Sequence, residues 1–121
     1  MKKILFAFIL SSLISVPAFA KCEGGDEYTV NGHTYCVGPE MAWWAAFAWC
    51  EAQGRHLVSM AEACPGWGGG ECISCCPTSA LGYVWTANPV SNDATKAYGL
   101  GESNVYRKTR SATSLYRAAC Y

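Results

Sequence analysis

Eight cysteines constrain the fold of this chain more than any other feature of its sequence. The chain has 121 residues, and its cysteines are Cys22, Cys36, Cys50, Cys64, Cys72, Cys75, Cys76 and Cys120. An even number of cysteines in a short chain is typical of a disulfide framework in an exported protein. Cross-links also matter most in a domain of about 100 residues, because its core is small. We therefore predict one disulfide-stapled domain over residues 21–121.

The first 20 residues have the pattern of a cleaved export signal. Lys2 and Lys3 precede an apolar run, and Ala18-Phe19-Ala20 matches the small-residue pattern of a cleavage site. The apolar run is short for a membrane helix. We predict that residues 1–20 are a signal peptide and that no stable membrane span remains after its cleavage. The protein is then secreted, periplasmic or exposed at the cell surface; a membrane anchor formed by the same segment is the alternative.

Charge is unevenly distributed along the chain, although the formal net charge is +0. Between residues 22 and 93, Arg55 is the one Lys or Arg, while acidic residues recur throughout. After residue 93, Glu102 is the one acidic residue, and the basic residues are Lys96, Arg107, Lys108, Arg110 and Arg117. Neither part is basic enough to indicate nucleic-acid binding, so no nucleic-acid partner is predicted.

Alternating residues around a tight turn predict an N-terminal β-hairpin. Residues 27–37 carry strand-forming side chains on both sides of Asn31-Gly32, a favoured two-residue turn. Cys22 and Cys36 bracket the incoming strand, and a bond between them would tie the N-terminus to the second strand. We expect His33, which follows the turn, to be a solvated strand residue without a metal or catalytic role.

A strongly apolar helix is predicted after the hairpin. Trp43, Ala46 and Cys50 recur at helical spacing and share one face of this helix. Glu40 is predicted in the first turn, where a carboxylate suits the helix dipole, and Gly54 is predicted as the left-handed residue that ends the helix. Because Cys50 lies on the inner face, we expect it to bond to a distant cysteine.

The remainder of the chain predicts a short second helix and several strands. Ser59 and Glu62 form a capping-box pattern at the start of residues 60–63. Strand-forming residues then cluster at 83–86, 97–100, 104–107 and 114–120, the last with one buried face. The predicted fold class is therefore α+β, with an N-terminal β-hairpin, one main helix, a short second helix and a small antiparallel sheet that ends in a meander.

Four cysteines lie in the glycine-rich segment 64–77, where two kinds of site compete. Cys72 and Cys75 have the spacing of zinc ligands. Two disulfides are the favoured interpretation, because an exported chain meets an oxidising compartment. Adjacent cysteines rarely bond to each other, so Cys75 and Cys76 are expected to pair with Cys64 and Cys72, in an order that the sequence leaves open.

The helix residues carry a resemblance to a known family. The first-helix motif of C-type lectin-like domains is matched in register by Trp43, Ala46, Cys50, Gly54, Leu57 and Met60. The resemblance covers nearly all of residues 21–121 and is closest in kind to bacterial members. It implies a bond from Cys50 to Cys120 on the last strand. It also implies that Cys22 and Cys36 are the extra N-terminal pair of the family's long form, and that residues 83–86 are its central core strand.

One functional element of that family is reduced in this chain. Members that bind sugars through calcium present a proline between two carbonyl-bearing side chains on a long loop, followed by a Trp-Asn-Asp strand. Here Asn88-Pro89-Val90 has one such side chain, and Ser91-Asn92-Asp93 follows at once without a tryptophan. Calcium requires about six to eight oxygen ligands. We therefore predict a short form without the calcium-binding loop, and no metal or cofactor.

The resemblance favours a binding module of adhesion or recognition. We expect a secreted or surface-exposed protein that binds a glycan or protein without calcium. Trp67 suits stacking on a sugar ring, and the basic group Arg107, Lys108 and Arg110 suits an acidic ligand. The simpler interpretations are that Trp67 is a lid packed over the disulfides and that the basic group is a solvated hairpin.

Two other functions compete with ligand binding. A structural accessory subunit of a surface assembly such as a pilus would need no small ligand, and the charge asymmetry suits head-to-tail contacts. Catalysis would need a nucleophile, a base and a group that orients them. His33 and His56 are the only histidines, and no serine or aspartate lies in a recognisable nucleophile turn. We therefore predict that the protein is not an enzyme.

Overall fold

The structure, a computed structural model, describes residues 20–67, 76, 81–101 and 105–121. The predicted signal peptide lies outside the described residues, except for Ala20. Cys72 and Cys75 also lie outside them, together with the zinc spacing and the pairing predicted for these two residues. Within the part of the chain that is described, no helix has both the length and the apolar character needed to cross a membrane.

The described elements are six strands and two helices. The strands are β1 (Asp26–Val30), β2 (His33–Met41), β3 (Val84–Pro89), β4 (Lys96–Leu100), β5 (Val105–Thr109) and β6 (Tyr116–Cys120). The helices, between β2 and β3 in the chain, are α1 (Trp43–Ala52) and α2 (Met60–Ala63). The predicted α+β class is confirmed, as are the N-terminal hairpin, the main helix and the short second helix.

The strands form one six-stranded sheet in the order β1-β2-β6-β3-β4-β5. Neighbours pair antiparallel except β3 and β6, which pair in parallel with Trp85 opposite Ala118. The predicted antiparallel sheet ending in a meander is therefore wrong: the sheet is mixed. β6 lies in the interior of the sheet because it pairs with β2 on one side and β3 on the other, and Ala118, Ala119 and Cys120 are all fully buried, so the strand is covered on both faces.

The main helix begins later than predicted. Glu40 lies in β2, opposite Arg117 of β6, and not in the first turn of α1. Pairing with β6 continues β2 to Met41, and Ala42 in an extended conformation then precedes α1. The predicted end of the helix is confirmed, because Gly54 follows the last turn with a φ of 70°.

The second helix begins as its sequence predicts. Ser59 Oγ accepts a hydrogen bond from the Glu62 backbone N–H at 3.1 Å, and Glu62 Oε1 accepts one from the Ser59 N–H at 2.9 Å. This reciprocal capping box satisfies two backbone donors that the helix itself leaves unpaired. It also fixes the position of the Glu62 carboxylate.

Side chains alternate between the two faces of the sheet and form two buried clusters. Trp85 and Ala118 pack with the inner residues of α1, and we call this side the helix face. Their chain neighbours Val84 and Ala119 pack with residues of α2, and we call that side the loop face. Because successive strand residues point to opposite sides, the sheet is the middle one of three layers.

Three disulfides cross-link the described part of the chain. They are Cys22–Cys36, Cys50–Cys120 and Cys64–Cys76. The second joins α1 to β6, as the resemblance implied, and the third resolves one of the pairings that the sequence left open. The disulfide prediction is confirmed for these six cysteines, and a set of three disulfides fits an exported protein.

Candidate binding surface

Aromatic side chains cover the part of the helix face that lies over β4 and β5. The inner residues of α1 pack chiefly on β6. Over β4, the ring of Tyr116 lies on Gly99, where a Cβ would come within 2.6 Å of a ring carbon. The ring of Tyr106 approaches Gly101 in the same way. Glycine at these two positions lets the tyrosine rings lie against the sheet.

Three tyrosine rings form a cluster over Gly99 and Gly101. The centroid of the Tyr83 ring lies 5.8 Å from that of Tyr106 and 5.7 Å from that of Tyr116. Tyr83 is 48% exposed, and the other two are half-buried. Burial, and then the neighbouring Tyr106 and Tyr83, raise the pKa of the Tyr116 hydroxyl. This hydroxyl is therefore protonated at neutral pH and can both donate and accept a hydrogen bond.

Two cations lie over aromatic rings on the same face. Lys108 Nζ is 3.9 Å from the ring centroid of Tyr116, and the Arg110 guanidinium carbon is 4.7 Å from that of Trp43. The two residues share a face because their positions differ by two. Arg110 Nε also donates to the carbonyl oxygen of Lys96 at 3.0 Å. Among the described residues neither cation forms an ion pair with a carboxylate.

Exposed aromatic area is also present at the start of α1. Trp44 is 64% exposed, and its ring centroid lies 4.6 Å from that of Trp43 in an edge-to-face contact. Trp43 is buried and donates from Nε1 to the carbonyl oxygen of Thr86 at 2.8 Å, which fixes its ring. We define the aromatic–cationic surface by its members Trp43, Trp44, Tyr83, Tyr106, Lys108, Arg110 and Tyr116.

The structure separates the ligand-binding residues that the sequence suggested. Lys108 and Arg110 belong to the aromatic–cationic surface. Arg107 lies on the loop face, with its guanidinium carbon 5.9 Å from the ring centroid of Tyr98. Trp67 contacts the same Tyr98 ring edge-to-face at 4.9 Å. The four suggested residues therefore do not form one site.

Trp67 has the position expected of a lid residue. It is half-buried and packs on the loop-face cluster that includes Cys64 and Cys76. We therefore assign this ring to packing over the disulfide and leave it out of the aromatic–cationic surface.

Sequence reasoning missed the aromatic members Trp44, Tyr83, Tyr106 and Tyr116. Two signals pointed to them. Tyr106 and Lys108 are two residues apart in a strand and must share a face. Gly99 and Gly101 lie at the end of β4, and glycines in a strand mark places where another group approaches the backbone closely.

The side chains of this surface suit non-covalent contacts. Exposed ring faces stack on sugar rings or on apolar side chains, and cations held over rings attract anionic groups. No group of three or more His, Cys, Asp or Glu side chains within the described ranges is arranged to hold a metal ion. The absence of catalysis stays a prediction.

The resemblance to C-type lectin-like domains rests on the motif residues between Trp43 and Met60, and the bond that it implies from Cys50 to Cys120 is present. Similar proteins would provide a second line of evidence on function. Comparison of the chain with protein-family models, with curated proteins and with solved structures found no match.

Proposed function

We propose that this protein is a secreted or surface-exposed C-type lectin-like binding module that recognises a glycan or a protein without calcium. The observation that carries this proposal is the aromatic–cationic surface. It combines exposed aromatic rings with two cations that have no carboxylate partner in the described part of the chain. A location outside the cytoplasm is supported by the three disulfides.

The residue types of this surface suit recognition. Tyrosine, tryptophan and arginine contribute most of the binding energy at many recognition surfaces, because they offer large contact areas. Aromatic rings also lose little conformational entropy when a ligand covers them. Tyr83 and Trp44 present ring area to solvent, and Lys108 adds a positive charge beside them.

The surface is also held in place before any ligand arrives. Most of its residues lie on strands or on α1, which the bond from Cys50 to Cys120 ties to β6. Trp43 and Arg110 are each fixed by a hydrogen bond to a backbone carbonyl. A site that is ordered in advance binds more tightly, because little entropy is lost on binding.

Two polar residues of the segment 88–93, where the resemblance would place calcium ligands, are engaged in internal hydrogen bonds. Asn88 Oδ1 accepts from the Met60 backbone N–H at 2.9 Å. Asp93 Oδ1 accepts from the Thr95 hydroxyl at 2.6 Å and from the Thr95 N–H at 3.0 Å, and these bonds lower the pKa of Asp93. Both side chains thus stabilise the local chain, which supports recognition without calcium.

A test of this function uses two variants of β5. The oxidised protein from residue 21 onward is applied to an array of glycans and surface proteins, together with Lys108→Gln and Arg107→Gln. Both variants remove one charge from the same strand, but from opposite faces. We expect wild type and Arg107→Gln to bind the same ligands with or without EDTA, and Lys108→Gln to bind about tenfold more weakly, because a charged contact is lost.

Three results would count against the proposal. The first is that correctly oxidised protein binds no ligand on the array. Another is an equal loss in both variants, because a general charge effect would then explain the binding. The third is silence together with self-association in light scattering, which would favour the accessory-subunit function instead.

A further inference from the structure

A second candidate site lies at the tip of the β1–β2 hairpin. The hairpin tip, the start of α2 and the end of the described chain enclose a partly open cavity of about 180 Å³. His33, Tyr35 and Tyr121 form its aromatic walls, and Val30 and Pro65 add apolar surface. A cavity of about 150 Å³ is large enough for benzene. This one therefore accommodates a single compact organic group.

The aromatic walls meet nearly at right angles. His33 stacks on Tyr121, with ring centroids 3.8 Å apart and ring planes 13° apart. Tyr35 stands edge-on to this pair, at 81° to His33 and 74° to Tyr121. His33 Nε2 donates to the Tyr121 carbonyl oxygen at 2.8 Å, which holds the stack together. His33 is thus a strand residue, as expected, but it is half-buried and paired with Tyr121 rather than fully solvated.

Glu62 brings a negative charge to this cavity. Burial raises the pKa of its carboxyl group, but hydrogen bonds from Ser59 and His56 outweigh burial, so the pKa lies below its ordinary value. The group is therefore ionised at neutral pH. Its Oε1 accepts from the Ser59 N–H at 2.9 Å, and its Oε2 lies 2.8 Å from His56 Nε2. Both carboxylate oxygens are already engaged in hydrogen bonds.

We propose that this cavity binds a methylated ammonium group, such as the trimethylammonium group of choline. The faces of aromatic rings attract cations, and aromatic walls recognise quaternary ammonium groups in this way. Val30 and Pro65 provide apolar contacts for N-methyl groups, and Glu62 supplies the opposite charge. Among the described residues that line the cavity, none is Lys or Arg.

The hydrogen-bond pattern favours a methylated over a primary ammonium group. A primary ammonium group carries three N–H donors that need acceptors, whereas a trimethylammonium group carries none. The Glu62 oxygens and the Tyr121 carbonyl oxygen already accept hydrogen bonds from protein groups. A trimethylammonium group needs none of these acceptors, whereas a primary ammonium group would have to share them or use the Asn31 side chain, which also lines the cavity.

This site is independent of the aromatic–cationic surface. Tyr35 belongs to the loop-face cluster, whereas Tyr116 and Trp43 belong with the helix face. The binding of an ammonium group does not require the proposed recognition function, so each proposal can fail while the other stands.

The first experiment compares two ligands of the same shape. Choline and its uncharged isostere 3,3-dimethylbutan-1-ol are titrated into the oxidised protein from residue 21 onward, and binding is followed by NMR. We expect choline to bind about fivefold or more tightly than the alcohol, because only choline carries the charge. Equal affinities, or no shifts with about 10 mM choline, would overturn the proposal.

The second experiment removes the charge of the site without removing the helix cap. Glu62→Gln keeps the capping box, since glutamine also serves at that position. We expect it to weaken choline binding about fivefold. The matched control is Glu51→Gln, an exposed charge on α1, which should leave choline affinity unchanged. Unchanged affinity in Glu62→Gln would contradict the site.

The last experiment tests the aromatic wall and the source of the ligand. Tyr121→Leu should also weaken choline binding, whereas Lys108→Gln should not, and the reverse result would place the ligand elsewhere. Phosphatidylcholine vesicles present the same ammonium group on a lipid. Sedimentation of the protein with these vesicles would identify the headgroup as a source, while binding of choline alone would indicate a soluble ligand.

Discussion

Gly99 illustrates how one residue controls the aromatic–cationic surface. It has no positive φ, so its role is to leave space rather than to turn the chain. An added Cβ would lie 2.6 Å from Tyr116 and 3.1 Å from the carbonyl oxygen of Val84. The Tyr116 ring in turn lies under Lys108. One methyl group at this position therefore disturbs both the ring and the cation above it.

Gly99→Ala should lower the free energy of unfolding by about 1–3 kcal/mol, because a well-packed region must shift to admit the methyl group. Urea unfolding measures this change. In a Tyr116→Leu background the same substitution should be milder, because the ring that it meets is gone. Equal effects in the two backgrounds would show that the contact with Tyr116 does not explain the need for glycine.

Glu62 makes stability depend on pH. Its pKa lies below the ordinary value of 4.5, so the folded state favours the ionised form more than the unfolded state does. This contribution is fully present above the unfolded pKa and is lost as the pH falls through the lower folded pKa. Relative to Glu62→Gln, the wild type should therefore lose stability between about pH 5 and pH 3.

Urea unfolding at constant ionic strength tests this pH dependence. Glu51→Gln serves as the control, and it should follow the wild-type curve because the exposed Glu51 has no comparable set of partners in the described structure. A difference between wild type and Glu62→Gln that stays constant over the acidic range would contradict the linkage.

At the scale of elements, short-range patterns were sufficient for the hairpin and both helices. The Asn31-Gly32 turn and the capping box of α2 each depend on residues that are close in the chain. The start of α1 was not predictable in this way. It depends on β2 pairing with β6, which places Glu40 opposite the distant Arg117.

The central position of β6 was missed for a related reason. The sequence pattern predicted one buried face for the last strand, formed by Tyr116, Ala118 and Cys120, and a meander would place that strand at the edge of the sheet. The structure buries Ala119 together with its neighbours Ala118 and Cys120, as is typical of a strand covered on both faces. Because alanine side chains are short, Ala118 and Ala119 indicate burial on both faces only weakly. Within the aromatic–cationic surface, Lys108 and Arg110 could be predicted from their charge. Its tyrosines could not, because aromatic residues in strands usually belong to a core.

The disulfides allow a graded prediction about stability. Cys50→Ala/Cys120→Ala opens a loop of 70 residues and should lower the free energy of unfolding by about 4 kcal/mol. Cys22→Ala/Cys36→Ala opens a loop of 14 residues and should lower it by about 3 kcal/mol. Urea unfolding of the two double variants under oxidising conditions gives both values, and the reverse ranking would contradict the loop-length argument.

The single variant Cys50→Ala provides a direct check of this pairing. Its former partner Cys120 should then carry the thiol that an alkylating reagent labels, and peptide mapping identifies the labelled residue. Label on a cysteine of residues 64–76 instead would indicate that the disulfides had rearranged.

At the scale of the whole molecule, one sheet supports two different candidate sites. The aromatic–cationic surface lies on the helix face, and the ammonium cavity lies at the hairpin tip. The described sheet has β1 and β5 at its edges. Arg107 and Lys108 on β5 also discourage pairing with the edge of another sheet, because charged side chains block such contacts. Lys108 thus protects this edge as well as belonging to the aromatic–cationic surface.

The central place of β6 has a consequence for the order in which the protein folds. β6 pairs with β2 on one side and β3 on the other, yet it is the last of the described elements in the chain. When the chain emerges N-terminus first, the two parts of the sheet, β1–β2 and β3–β4–β5, therefore appear before the strand that joins them. Cys50 also cannot form its disulfide until Cys120 has emerged. Completion of the sheet therefore depends on its C-terminal strand, an order that is compatible with the proposed export.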